Sequence, residues 1–195
     1  MALIDTAVVL PGTGFIYVAD PDTARCSAAE LKTIPLTTWT GTPAGSWEGI
    51  GHTSADTLPG FGNEGGESET RGTWQKKALR QVVTDEPVDY VTMLLQQFDP
   101  TQLGLYYGSN TEIADGAFKV KTGGVTVVEK ALLVVLVDGA TRLGFYAPRV
   151  SFGRDDAIEM DTESFVGFPA RATILEGSTD DLFEWVNEDL FPETP

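Results

Sequence analysis

The sequence predicts a mainly β domain of the α+β kind: two antiparallel sheets packed as a sandwich or barrel and flanked by one α-helix. A long inter-strand loop and terminal arms complete the expected layout. Three observations carry this reading. Short runs rich in β-branched and aromatic residues recur along the chain, separated by Gly, Asp, Asn and Pro turns. Two of the longest runs meet at "VDGATR", residues 137–142, whose Asp-Gly pair is a hairpin signal and makes the pairing antiparallel. One stretch changes to a helical period. At 195 residues and 42 % hydrophobic content, the chain suits a single domain over residues 1–195 with a substantial core.

In chain order, residues 1–13 form an N-terminal arm, and "GFIYVAD" from Gly14 to Asp20 is the first strand. Between Pro21 and Gly45, "SAAELKT" offers a short helical turn among Thr- and Pro-rich connectors, and no firm assignment follows. "GSWEGIGHTS" resumes an extended pattern, and "TWQKKALRQVVT" is a further strand candidate. The segment joining them, residues 45–75, is a long loop whose Gly/Glu-rich tip at 62–69 reads as mobile. Val88, Val91, Leu94, Leu95 and Phe98 then recur at spacings of three and four, which predicts the helix. Thr84 or Asp85 would cap it and Pro100 would stop it, with a shorter turn at Thr101 to Leu105. "AFKVKTG", "GVTVVEKALLVVLVDG", "TRLGFYAPRVSFGR" and "FPARATILEG" are later strands. Residues 178–195, with Leu182, Phe183, Trp185 and Val186, form a terminal helix capped by Ser178 or Thr179, or an arm laid on a partner.

Charge narrows the function. The chain carries 29 acidic and 13 basic residues, a net charge of −16, which repels nucleic acid and anionic membranes. Lys76, Lys77 and Arg80 are the nearest approach to a basic cluster and read as the solvated face of a strand. From Ser151 onward there are 12 acidic and 2 basic residues, so the excess negative charge gathers in the last quarter. One cysteine, Cys26, excludes an internal disulfide and points to synthesis in a reducing cytoplasm. The N-terminus lacks the positive start of a secretory signal, and no apolar run reaches the roughly 20 residues of a membrane span.

No catalytic arrangement emerges. His52 is the single histidine, and Thr53, Ser54 and Asp56 beside it alternate across a strand rather than converge on it, so it reads as a structural or interface imidazole. Asp155, Asp156, Glu159, Asp161 and Glu163 form a dense acidic run that lacks the invariant glycine of an EF-hand loop. No metal, cofactor or phosphate-loop spacing is present. What remains is interaction surface. The loop at residues 49–74 is bracketed by Trp47 and Trp74 and carries Ile50, Leu58 and Phe61 in a polar background. Two readings stand: an arm that folds against a partner, or a surface loop whose tryptophans belong to the domain's own core.

The order "SWEGIGHTSADTL", "TWQKKALRQVV", "DYVTMLLQQFD" and "LGLYYG" resembles the major tail proteins of long-tailed phages, particularly those of actinobacteria. The resemblance covers about residues 45–108 well, and the later strands support it more weakly. It implies a non-enzymatic virion protein, made in the host bacterial cytoplasm and built into the tail. It also implies six copies per ring, and rings stacked into a hollow tube through which genomic DNA passes without specific binding. The long loop and chain ends would reach neighbouring subunits, with Trp47, Ile50, His52, Leu58, Phe61, Trp74 and Trp185 as contact residues. A tape-measure protein and tail initiator and terminator proteins are the implied partners. The alternative is a ring-forming head-tail connector or tail terminator that does not polymerise.

Overall fold

The run "ALLVVLVD" is apolar on both of its alternating faces, and the fold shows why. The computed structural model describes residues 7–124 and 126–192. In chain order its elements are β1 (Thr13–Ala19), α1 (Ala28–Leu31), β2 (Trp47–Gly49), β3 (Gly60–Glu64), β4 (Ser68–Arg71), β5 (Arg80–Val83) and β6 (Val88–Leu95). There follow α2 (Pro100–Tyr107), β7 (Thr111–Ala114), β8 (Ala117–Val120), β9 (Val128–Asp138), β10 (Thr141–Arg154), β11 (Phe168–Ile174) and β12 (Glu184–Val186). The main sheet has eight strands, in the order β2-β1-β9-β10-β11-β6-β3, with β12 added to β10. Its pairings are antiparallel throughout.

The sheet curls until its two halves face each other. After β2 the chain crosses from one edge to the other: Ile50 N–H donates to Ile16 O at 3.0 Å, and Ser54 N–H donates to Leu94 O at 3.0 Å. Thr53 bridges Leu95. Residues 47–54 thereby tie β1 to β6, and the mainly β, sandwich-like layout consists of one continuous path rather than two separate sheets. Inside lies a core built from Ile16, Val91, Leu132, Val134, Phe152 and Phe168, among others. A second core covers the outside of β1, β9 and β10, where Tyr17, Leu133 and Val135 meet Leu31, Ile34, Trp39 and Trp47. β9 therefore sends Leu132 and Val134 one way and Leu133 and Val135 the other, and needs no polar face.

The covering layer is the segment between Pro21 and Gly45. Its helix α1 has a capping box: Ser27 Oγ accepts from Glu30 N–H, and Glu30 reaches back to Ser27 N–H at 2.9 Å. A bulge in β10 between Ala147 and Val150 lets that strand change partner, from β12 on its first half to β11 on its second. Cys26 is buried in this layer, and burial raises its thiol pKa, away from reactivity.

Two local expectations are corrected. The stretch predicted to be the helix is strand β6, with Val91, Met93 and Leu95 buried at alternate positions. Its three-and-four spacing mixes inward residues with Leu94, which points the opposite way; pairing with β11 and β3 on either side decides the outcome. The helix lies at the shorter turn instead. Pro100 begins α2 rather than ending a helix, and Asp99 caps it by accepting from Gln102 N–H at 2.8 Å. The C-terminal segment adopts strand β12 rather than a helix, and residues 193–195 lie outside the described residues, as do residues 1–6 of the N-terminal arm.

Candidate functional site

The long loop turns out to be structured. It begins with β2 and its extension, which bury Trp47, Ile50 and Ser54 in the barrel wall, and continues into β3, which pairs with β6 from Gly60–Thr92 to Glu64–Val88. Glycine at 62 leaves room for the Tyr90 ring, whose outer end would have to shift to admit a Cβ that would stand 2.8 Å from it. At Gly65 and Gly66, both with positive φ, the chain leaves the sheet and forms a separate two-stranded hairpin, β4 with β5. The tip, residues 72–79, is turned by a Thr73–Lys76 backbone exchange. The Gly/Glu-rich stretch is thus the end of β3, the bend and the start of a hairpin whose true tip carries Trp74, Lys76 and Lys77. Arg80 opens β5, whereas Lys76 and Lys77 lie in the turn and not on a strand.

This geometry sorts the expected contact residues. Trp47 and Ile50 are only 2 % and 1 % exposed, and both serve the protomer's own core. Trp47 stacks on Trp39 and donates its indole N–H to Ala24 O at 3.1 Å. That burial corrects their assignment as contact residues: a side chain already desolvated in its own domain has no surface to offer. The His52 ring is exposed, while the backbone around it is clamped. Gln102, fully buried on α2, donates Nε2–H to Ile50 O and to His52 O, and its Oε1 accepts from Gln97 N–H at 2.8 Å. Ser54 Oγ is occupied in a turn, accepting from Asp56 and Thr57 N–H at 3.2 and 3.1 Å.

Phe61 and Trp185, far apart in sequence, are brought together. Their rings lie 5.2 Å apart, each against Phe145, with Phe183 beside them. They remain 40 % and 37 % exposed and line a shallow cleft of about 230 Å³. Leu58, half-exposed, lines a neighbouring groove of about 340 Å³ with Phe15 and Leu136. Trp74 stands alone at 99 % exposure, with Leu79 and Val83 also exposed on the same hairpin. Sequence reasoning missed a second projecting hairpin, β7 with β8, turned by Asp115 and Gly116 in the left-handed region. That Asp-Gly pair between "TEIA" and "AFKV" is the signal that could have found it.

Among the described residues no group of three or more His, Cys, Asp or Glu side chains converges as a metal site. Among them, too, no helix is long and apolar enough to cross a membrane. The arrangement is a barrel with two hairpins set apart from its main sheet, and comparison with known proteins decides what kind. A family described as "Phage tail tube protein" matches residues 1–195. The chain belongs to the phage tail tube protein family. It is 50 % identical over 198 residues to the "Major tail protein Gp23" of Mycobacterium phage D29, covering 100 % of this chain and 98 % of that one. It is likewise 50 % identical over 200 residues to the protein of the same name from Mycobacterium phage L5, covering 100 % and 99 %. As a tail tube family member the chain is a structural component of the virion tail and not an enzyme.

Proposed function

We propose that six copies of this chain close into a ring and that rings stack into a hollow tube through which genomic DNA is delivered to the host. The observation that carries this reading is the β4–β5 hairpin. It has few attachments to the domain, yet it presents a fully exposed tryptophan and two further exposed apolar side chains. A large apolar group held out in water is characteristic of a surface that another protein covers. The aromatic cleft of Phe61 and Trp185 and the groove beside Leu58 are further surfaces suited to neighbouring subunits, as is the exposed Ile113 on the second hairpin.

The net charge of −16 suits a conduit for DNA. A lumen lined with carboxylates repels phosphates, so the polymer slides instead of sticking. Assembly would proceed with a tape-measure protein setting length and with initiator and terminator proteins at the two ends. Negative-stain electron microscopy of the purified chain across a concentration series tests the reading. Hollow tubes or stacked rings are expected. Single closed rings at every concentration would favour a connector or terminator, and a monomer throughout would overturn self-assembly.

A further inference from the structure

The cations of this chain are almost all accounted for internally. Of the 13 Lys and Arg residues, most are paired with carboxylates, as Arg25 is with Glu184 and Arg171 with Glu64. Arg142 donates to the carbonyls of Leu31 and Ile34, and Arg154 lies over the rings of Tyr106 and Tyr107. Among the described residues only Lys76, Lys77 and Arg80 have no such partner. Lys76 and Lys77 sit in the hairpin tip with Trp74, and Arg80 opens β5 directly after it. In a chain with more than twice as many acids as bases, this leaves one concentrated positive spot with an apolar centre.

Its complement is the loop between β10 and β11. There Asp155, Asp156, Glu159, Asp161 and Glu163 are all exposed, and none has a cation within reach among the described residues. Met160 stands among them and Phe165 just after them, 80 % and 84 % exposed, beside a cavity of about 440 Å³ that reaches back to Leu94. An unmatched positive tip with an exposed indole and an unmatched negative loop with exposed Met and Phe are complementary in both charge and apolar character.

Strand register shows that the two cannot be neighbours at one end of the sheet. The hairpin leaves the barrel where Glu64 pairs with Val88, at the start of β6. The acidic loop closes on the far end of β6, where Leu95 pairs with Phe168. Eight residues of strand separate the two ends by about 24 Å. A knob at one end and its seat at the other make a head-to-tail contact, which generates open stacks or rings rather than closed pairs.

We propose that the β4–β5 tip of one copy docks on the acidic loop, residues 155–165, of a second copy, with Trp74 set against Met160 and Phe165 and Lys76, Lys77 and Arg80 facing the carboxylates. The inference rests on the self-assembly reading and names its joint. It is tested with three full-length variants: K76E/K77E/R80E at the tip, D161K/E163K at the seat, and the two sets combined. All replaced side chains are solvent-exposed, and circular dichroism checks folding. Each single set should raise the concentration needed for sedimenting assemblies about tenfold or more, since like charges then oppose each other. The combined chain should recover assembly, because the charge pattern is exchanged rather than lost. Wild-type assembly unchanged by the tip reversal, or no recovery in the combined chain, overturns the docking alone. Wild-type protein that never assembles overturns the self-assembly reading itself. Duplex DNA bound by the wild type and lost only on tip reversal, with assembly intact, would assign the tip to nucleic acid and overturn the docking.

Discussion

Trp47 and Trp74 bracket one continuous segment and sit in opposite environments, 2 % and 99 % exposed. The first is where the segment is part of the barrel; the second is where it has left it. Between them the chain changes from a strand that ties two edges of a sheet to a hairpin with few anchors on its own domain. Stability and assembly should therefore separate along this segment, and substitutions can test that separation.

The largest effect is expected at the base. Trp47→Ala removes an indole packed between Trp39 and Tyr146 and the hydrogen bond to Ala24 O, at a cost of about 3–5 kcal/mol. A urea melt would show this as a lower midpoint, and an unchanged midpoint would remove Trp47 from the core. Next comes Gln102→Leu. It leaves the buried carbonyl of Ile50 without its partner, at about 1–3 kcal/mol, and also frees the part-buried His52 carbonyl and Gln97 N–H. Hydrogen exchange at Ile16 and Leu94 partners, Ile50 and Ser54, should speed up as the crossing strand loosens.

A smaller effect belongs to pH. Backbone N–H of Ser178 at 2.7 Å, and after it the Arg149 guanidinium, hold the Asp22 carboxyl below its ordinary value of 3.8. A lowered folded pKa means a stabilising contribution that is complete above the ordinary value and lost as pH falls through the folded one. Asp22→Asn should thus be less stable than wild type at neutral pH, with the difference closing in urea melts as the pH is taken below the ordinary value of 3.8. A gap that stays constant into acid would show that the carboxylate's charge is not what ties the β1 turn to the C-terminal segment.

How much of this was legible in the sequence depended on whether a local signal agreed with its surroundings. β1, β9, β10 and β11 were readable because their apolar runs are long, and the Asp138-Gly139 pair set the β9–β10 hairpin. β6 was not, because Val88 to Phe98 satisfies a helical period as well as a strand period, and only its central place between β11 and β3 decides. Pro100 carried a true signal read in the wrong direction: proline opens a helix as readily as it ends one. In the covering layer between Pro21 and Gly45 only the short helical turn that became α1 was readable, because its core residues, Leu31, Ile34 and Trp39, follow no period. At the site, exposure of Trp74 against burial of Trp47 could not be read at all, since both are single tryptophans in polar stretches and their fates are set by pairing far away in sequence.

The smallest effect on stability is expected at the tip, and it decides whether the comparison holds. Trp74→Ala removes a side chain that touches almost nothing in its own chain, so the unfolding free energy from a urea melt should change by no more than about 0.5 kcal/mol. Replacing residues 67–84 by a two-residue Asn-Gly turn should likewise leave the melt intact, because Gly65 already lies against Glu86 where the shortened chain would close. In both variants assembly should fail while folding persists. A tip variant that melted like Trp47→Ala would place the hairpin in the protomer's stability after all. One that assembled like wild type would leave the exposed indole without a partner and move the search for the joint to Phe61, Trp185 and the second hairpin.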